Sequence, residues 1–170
     1  MPIYIVLLRA VNVGGTGRLP MAELKAICEA AGFAQVQTYI ASGNVIFNSG
    51  MSAVQVKAAL ESRLKAYAGK PVGVVVRTAT EMIAVLKTNP FPKAAPNRTV
   101  TIFLDDPPPA DALDRAVGKK DEELRLGKRE IFVHYREGIG ASKLRIPAAK
   151  SGTARNMNTL AKLIEIAAKR

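Results

Sequence analysis

Residues 7–24 have the composition of a small anion-binding site. This stretch runs from an apolar segment through a glycine-rich turn to a helix that we expect to start at Pro20, because proline suits the first turn of a helix. Backbone N–H groups of a glycine turn and of a helix N-terminus, together with two guanidiniums, could converge on an anion. The candidate ligand-binding residues of this stretch are Arg9, Asn12, Gly14, Gly15, Gly17 and Arg18.

The order of residues in this stretch excludes two common phosphate-binding motifs. A Walker loop needs Lys and then Ser or Thr after its last glycine, but Arg18 and Leu19 follow here. A dinucleotide fingerprint needs a third glycine where Pro20 stands. Two alternatives remain: a less specific anion site, and a turn that needs glycine only for its backbone angles.

A second polar stretch, residues 151–160, places hydroxyl, amide and guanidinium groups at the expected start of the last helix. Thr153 is a candidate N-cap, and Arg155 and Asn156 follow it. The positive end of a helix favours anions, so these three residues are candidate ligand-binding residues. The alternative is a structural lock on the start of the helix.

Asn44 is a further candidate, at the end of the hairpin turn expected over residues 41–44. The simplest interpretation is a turn residue, but its carboxamide could also face a cleft. We expect the two polar stretches and Asn44 to meet in a cleft between two subdomains, with Arg9 and Arg155 supplying positive charge. Each stretch alone offers too few donors to hold an anion against water, whereas fixed donors that converge bind strongly.

The cysteine and histidine content excludes several site classes. Cys28 is the only cysteine and His134 the only histidine, so an intramolecular disulfide, a multi-cysteine metal site and a zinc site are excluded. Cys28 lies on the apolar face of its predicted helix and is expected in the core. We expect neither a metal nor a cofactor.

The charge of the chain favours anionic partners. The net charge is +11, and residues 86–170 contain 17 basic and 10 acidic residues. Nucleic-acid binding through this basic half is therefore the alternative to a small anionic ligand. The first strand resembles that of an RNA-recognition sheet, but Asn44 stands where an aromatic residue is expected, and only 5% of residues are aromatic. No apolar run approaches the ~20 residues of a membrane helix, so we expect a cytoplasmic protein without a membrane partner.

The spacing of apolar residues predicts an α+β fold in two subdomains. Residues 1–78 show the β-α-β-β-α-β order of a ferredoxin-like unit. Thr78 and Glu81 have capping-box spacing, which predicts a further helix to about Lys87. The predicted division is a first subdomain over residues 1–88, a proline-rich connection over residues 89–97 and a second subdomain over residues 98–170.

The second subdomain is predicted as a related but incomplete β-α-β-β-α unit with a C-terminal helix. Its first strand is expected over residues 98–104 and its hairpin over residues 122–126 and 129–135. Helices are expected over residues 106–117 and 141–146, and over residues 154–168 in place of the last strand. The repeated order of elements indicates an approximate internal duplication.

Five sequence segments, in this order, resemble one bacterial protein family. The segments are LLRAVNVGGTGRLPMAEL, TYIASGNVIF, NPF, SKL and GTARNMNTLAKL. The chain is similar to the family called domain of unknown function 1697, whose members usually have glycine where Ala10 stands and tryptophan where Met157 stands. The resemblance implies a soluble bacterial α+β protein and implies no reaction.

We therefore expect a protein that binds a small phosphorylated or carboxylated ligand. The residue types favour electrostatic stabilisation of an anion over nucleophilic attack. A phosphoryl or acyl-phosphate hydrolase is the enzymatic form of this hypothesis.

Overall fold

The computed structural model describes residues 1–11 and 18–170. These residues contain two four-stranded antiparallel sheets. One unit comprises Met1–Ile83 with Leu163–Arg170, and the other comprises Ala84–Lys162. The proline-rich residues 89–97 thus belong to the second unit, and the division falls within a helix that precedes them. The α+β class predicted from the sequence is confirmed.

The first unit has the predicted β-α-β-β-α-β order, followed by a third helix. Its sheet has the strand order β2-β3-β1-β4, and every neighbouring pair is antiparallel. The elements are β1 (Ile3–Leu8), α1 (Met21–Ala30), β2 (Ala34–Tyr39), β3 (Asn44–Asn48), α2 (Ala53–Ala68), β4 (Val74–Thr78) and α3 (Ala79–Lys87).

Local sequence signals set both ends of α2 and the start of α3. Ser52 and Gln55 form a capping box, with each side chain accepting from the backbone N–H of the other. α2 ends at Gly69, whose φ of 74° is in the left-handed region that glycine adopts without strain. Thr78 and Glu81 form the predicted second capping box, with N···O distances of 2.9 and 3.1 Å.

The core of the first unit lies between its sheet and the helices α1 and α2. Leu24 and Cys28 of α1 and Leu60 of α2 are buried against alternate residues of β1. Phe33 stacks on Phe47 with ring centroids 4.1 Å apart. Burial raises the pKa of the Cys28 thiol to about 12, and the charge of neighbouring Glu29 contributes to this shift. The predicted core position of Cys28 is therefore correct.

The second unit repeats the strand arrangement of the first. Its sheet has the order β6-β7-β5-β8, which places corresponding strands in the same positions as in the first sheet. The elements are β5 (Thr99–Phe103), β6 (Glu123–Leu126), β7 (Glu130–His134) and β8 (Thr153–Asn156), with 3-10 turns at Pro96–Arg98 and Pro147–Ala149. The last helix, α4 (Met157–Ala168), begins in this unit, and its residues from Leu163 onward belong to the first unit. The predicted strand over residues 98–104 and the predicted hairpin are confirmed.

Two predicted helices of the second unit are absent, and the predicted start of its last helix is wrong. Residues 106–117 form no helix, because prolines 107–109 have no backbone N–H to donate and push the residues before them towards extended conformations. Turns follow over residues 110–115. Residues 141–146 contain no helix; instead Arg145 forms an antiparallel bridge with Val117 through two 2.8 Å backbone hydrogen bonds. Thr153–Asn156 is a strand, paired with β5, and the last helix begins only at Met157.

None of the helices in the described parts of the chain combines the length and the apolar character needed to cross a membrane.

Gly152 precedes β8 at a close approach to β5, and we expect Gly152→Ala to destabilise the second unit. An added Cβ would lie 2.8 Å from the Phe103 carbonyl oxygen and 2.9 Å from side-chain carbons of Ile102 and Leu104. Overpacking of this kind costs about 1–3 kcal/mol. Urea unfolding measures the change.

Gly140→Ala is the matched control, because an added Cβ at Gly140 meets no atom within 4 Å. Its free energy of unfolding should stay within about 0.5 kcal/mol of the wild-type value. Equal losses in the two variants would contradict the steric explanation.

Candidate anion-binding site

The candidate site begins where β1 ends. The backbone N–H of Leu8 donates to the Gly43 carbonyl at 2.8 Å, and that of Arg9 donates to the Gly73 carbonyl at 2.9 Å. These bonds continue the sheet past the last strand residue and fix the backbone of Arg9 beside the start of β4. Ala10 then has a φ of 52°, in the left-handed region that favours glycine. A glycine would adopt this conformation without the strain that a Cβ brings.

Two adjoining depressions lie beside this strand end, and they share Val11, Lys70 and Val72. The smaller has a volume of about 190 Å³ and the larger about 290 Å³. The described residues that line the smaller are Arg9, Ala10, Val11, Lys70, Pro71, Val72 and Gly73. Those that line the larger are Val11, Arg18, Leu19, Leu64, Tyr67, Ala68, Lys70 and Val72. We call these two depressions together the β1-end site.

The β1-end site has positive charge above an apolar floor. Arg9, Arg18 and Lys70 are exposed, and none of the lining residues that the structure describes is acidic. Leu19 and Leu64 are buried beneath them. The charged ends of such side chains attract an anion, and their aliphatic stems can cover an apolar group that is part of the same ligand.

The structure places two of the predicted residues of the first stretch, Arg9 and Arg18, at the β1-end site. The other four, Asn12, Gly14, Gly15 and Gly17, lie outside the described residues. Sequence reasoning missed Lys70, which follows the glycine that ends α2. The strand topology was the available signal. Because β1 and β4 are antiparallel neighbours, the C-terminal end of β1 and the connection before β4 lie at the same end of the strands.

Asn44 is buried, and its carboxamide is used within the β2–β3 hairpin. The amide nitrogen donates to the Tyr39 carbonyl at 2.8 Å and to Ser42 Oγ at 3.0 Å. Asn44 also pairs with Leu7 across the sheet. These contacts agree with the turn interpretation of residues 41–44.

The second predicted stretch forms β8 and the start of α4. Arg155 is 8% exposed, and its guanidinium donates to Thr153 Oγ1 and to the Ala154 carbonyl, both at 2.8 Å. Burial lowers the pKa of Arg155 to about 10, so the group is still charged at neutral pH. Arg9 belongs to the first unit and Arg155 to the second, and a common cleft for them stays a prediction.

Asn156, not Thr153, caps α4. The Asn156 Oδ1 accepts from the backbone N–H of Thr159 at 2.9 Å, whereas Thr153 lies in β8, three residues earlier. The predicted cap was wrong because the strand at residues 153–156 was missed. Asn156 therefore has a structural role that accounts for its position.

A third depression, of about 270 Å³, lies in the second unit around Glu122. Glu122 is 4% exposed, and it accepts from Ser142 Oγ and, at 2.7 Å, from the Lys120 N–H. These bonds, led by that of Ser142, lower the pKa of Glu122 to about 2. Ser142 Oγ in turn accepts from the Leu144 N–H at 3.2 Å. The cluster ties the chain before β6 to the loop after β7, which gives the Ser-Lys-Leu segment a structural role.

In the described parts of the chain, no group of three or more His, Cys, Asp or Glu side chains could hold a metal ion.

Comparison with known proteins identifies the family. A profile of the family described as "Protein of unknown function (DUF1697)" matches residues 1–132, which is most of the chain. The chain belongs to this family. The matched region includes every described residue of the β1-end site and ends before the second polar stretch at residues 151–160.

A solved structure extends the likeness over the whole fold of this DUF1697 chain. The conserved bacterial protein SP0830 from Streptococcus pneumoniae is 26% identical, with a TM-score of 0.80 over 97% of this chain and 98% of that chain. No curated protein matches the sequence.

Arg155→Ala separates the two interpretations of the second polar stretch. The variant removes a donor to Thr153 Oγ1 and Ala154 from a buried position, so we expect the free energy of unfolding to fall by about 1–3 kcal/mol. Arg145→Ala is the control, because its side chain is exposed and its bridge to Val117 uses only backbone atoms. Urea unfolding of both variants measures the difference.

The ligand-site hypothesis predicts the opposite pattern for Arg155→Ala. Affinity for inorganic phosphate would then fall by about 1.5–3 kcal/mol, the range for a bond to a charged group, with little loss of stability. That result would contradict the structural role of Arg155.

Glu122 should make stability depend on pH in the acid range. Folding lowers the pKa of Glu122 from 4.5 to about 2. Its contribution to the free energy of unfolding is therefore present above pH 4.5 and is lost as the pH falls towards 2. We expect Glu122→Gln to be less stable than wild type at pH 7, with a difference that shrinks between pH 5 and pH 3. Urea unfolding across this range measures it.

Glu137→Gln is the control for Glu122→Gln, because Glu137 lines the same depression but is exposed. A stability difference between wild type and Glu122→Gln that stays constant from pH 7 to pH 3 would contradict the assignment.

Proposed function

We propose that this protein binds a small phosphorylated or carboxylated ligand at the β1-end site. The proposal is based on one observation: Arg9, Arg18 and Lys70 line two adjoining depressions, and none of the described lining residues is acidic. Guanidinium groups can bind both oxygens of a phosphate or carboxylate at once, and a lysine adds a point charge. All three groups are exposed, so the solvent screens them and the affinity should depend on salt.

The size of the site supports a small ligand. Ligand pockets in proteins have volumes of about 300–1,000 Å³, and each of the two depressions lies at or below the lower end of this range. A metabolite-sized phosphate or carboxylate fits this volume better than a polymer does.

Hydrolysis of a phosphoryl or acyl-phosphate group is the enzymatic form of the proposal. The three cations would stabilise negative charge that develops on the transferred group. The described lining contains no carboxylate or histidine, so the proposed contribution of its cations is electrostatic. Release of inorganic phosphate from acetyl phosphate measures it.

Nucleic-acid binding by base stacking is not favoured by the first sheet. The side chains of β1 from Tyr4 to Leu8 are buried, and so are those of β3 from Asn44 to Phe47. An RNA-recognition sheet instead exposes aromatic side chains of these strands. Binding through phosphates alone has no such requirement and stays a prediction from the net charge.

Lys70→Ala tests the proposed site, because Lys70 lines both depressions. We expect affinity for inorganic phosphate to fall by about 1 kcal/mol, a value reduced from that of a buried charged bond because the site is exposed. NMR titration at low ionic strength measures the dissociation constant.

Lys25→Ala is the matched control, because Lys25 is an exposed lysine of α1 in the same unit and lines neither depression. It changes the net charge by the same amount. Equal weakening in the two variants would show that phosphate responds to net charge and not to this site.

A further inference from the structure

We propose that the ligand of the β1-end site carries a flat aromatic ring next to its anionic group, as an aryl phosphate does. This inference rests on the proposed function and concerns the part of the ligand that is not charged. The anionic group contacts the cations, and the ring lies in the larger depression.

The two depressions differ in their lining, and this difference carries the inference. The charged residues that line the smaller are Arg9 and Lys70. The larger is lined mainly by aliphatic side chains and by the ring of Tyr67, and its described polar residues are Arg18 and Lys70. Because Lys70 belongs to both, an anion beside Lys70 leaves the rest of a ligand next to the apolar lining.

Tyr67 is the feature that favours a ring over an aliphatic chain. It lies in the last turn of α2, and it follows Leu64 by three residues, so the two share a face of the helix. Leu64 is 1% exposed, whereas Tyr67 is 46% exposed. The helix thus holds a large aromatic surface next to a buried apolar floor, and a second ring can stack on such a surface or meet it edge to face.

An exposed tyrosine also has a polar tip, which allows it to stand in water without a ligand. Tyr67 therefore costs little when the site is empty, and it gains buried area when an aromatic group covers it. The cations that rim the larger depression, Arg18 and Lys70, can in addition cover the edge of the ring with their aliphatic stems.

The test compares methyl phosphate with phenyl phosphate, which are both phosphate monoesters and differ in the ring. We expect wild type to bind phenyl phosphate about tenfold more tightly than methyl phosphate, the effect of one aromatic contact with its buried area. In Tyr67→Ala this preference should fall to about twofold or less, while the affinity for methyl phosphate is unchanged. NMR titration measures all four dissociation constants.

Tyr67→Leu and Val54→Ala complete the experiment. Tyr67→Leu keeps apolar area without the ring, and it should lose most of the preference; if it keeps the full preference, the aromatic part of the inference is wrong. Val54, on α2 and 79% exposed, lines neither depression, so Val54→Ala should keep the preference.

The outcomes separate this inference from the proposed function. Equal binding of methyl and phenyl phosphate by wild type overturns the aromatic ligand and leaves the anion site supported. Binding of neither compound overturns both. A loss of affinity for both compounds in Tyr67→Ala also overturns the inference, because Tyr67 would then act on the anion or on the fold.

Discussion

The central strand β1 is the constraint on which the first unit depends. Its residues from Tyr4 to Leu8 are buried, so each of its backbone polar groups needs a partner within the protein. The two antiparallel neighbours, β3 and β4, supply those partners along its length. Since a shift by one residue would turn every side chain to the opposite face, the register of β1 is fixed. The position of Arg9 at its end is fixed by the same pairing.

The second sheet has the same strand order as the first but buries different residue types. Its central strand, β5, buries Thr99 and Thr101 as well as apolar residues, and its edge strand β8 buries Arg155. Turns and a bridge stand between β5 and β6, and a 3-10 turn stands between β7 and β8, where the first unit has its helices α1 and α2. The two halves of the chain are therefore alike in their hydrogen-bonded framework and differ in what covers it. Of the order of elements that indicated an internal duplication, the strands repeat, but the helices predicted between them are absent from the second unit.

The sequence predicted those elements whose signals are local. The apolar segment that forms β1 and the capping box at Thr78 each lie within a few neighbouring residues. β8 was missed because its residues, Thr-Ala-Arg-Asn, contain no apolar run and no alternation of large apolar residues, and its pairing with β5, about 50 residues earlier, leaves no local pattern. The site shows the same division. Arg9 and Arg18 were predicted from their residue type beside a glycine-rich sequence, whereas Lys70 lies at the same depressions because β1 pairs with β4.

The burial of Cys28 makes it an internal reporter of how the first unit opens. Its thiol is enclosed by the core of that unit, and burial keeps it in the unreactive protonated form at neutral pH. The second unit contains no cysteine, because the chain has only one. The rate at which a thiol reagent modifies the native protein therefore follows transient exposure of one core and not of the other. Local opening of the two halves can be distinguished in this way without the introduction of a probe.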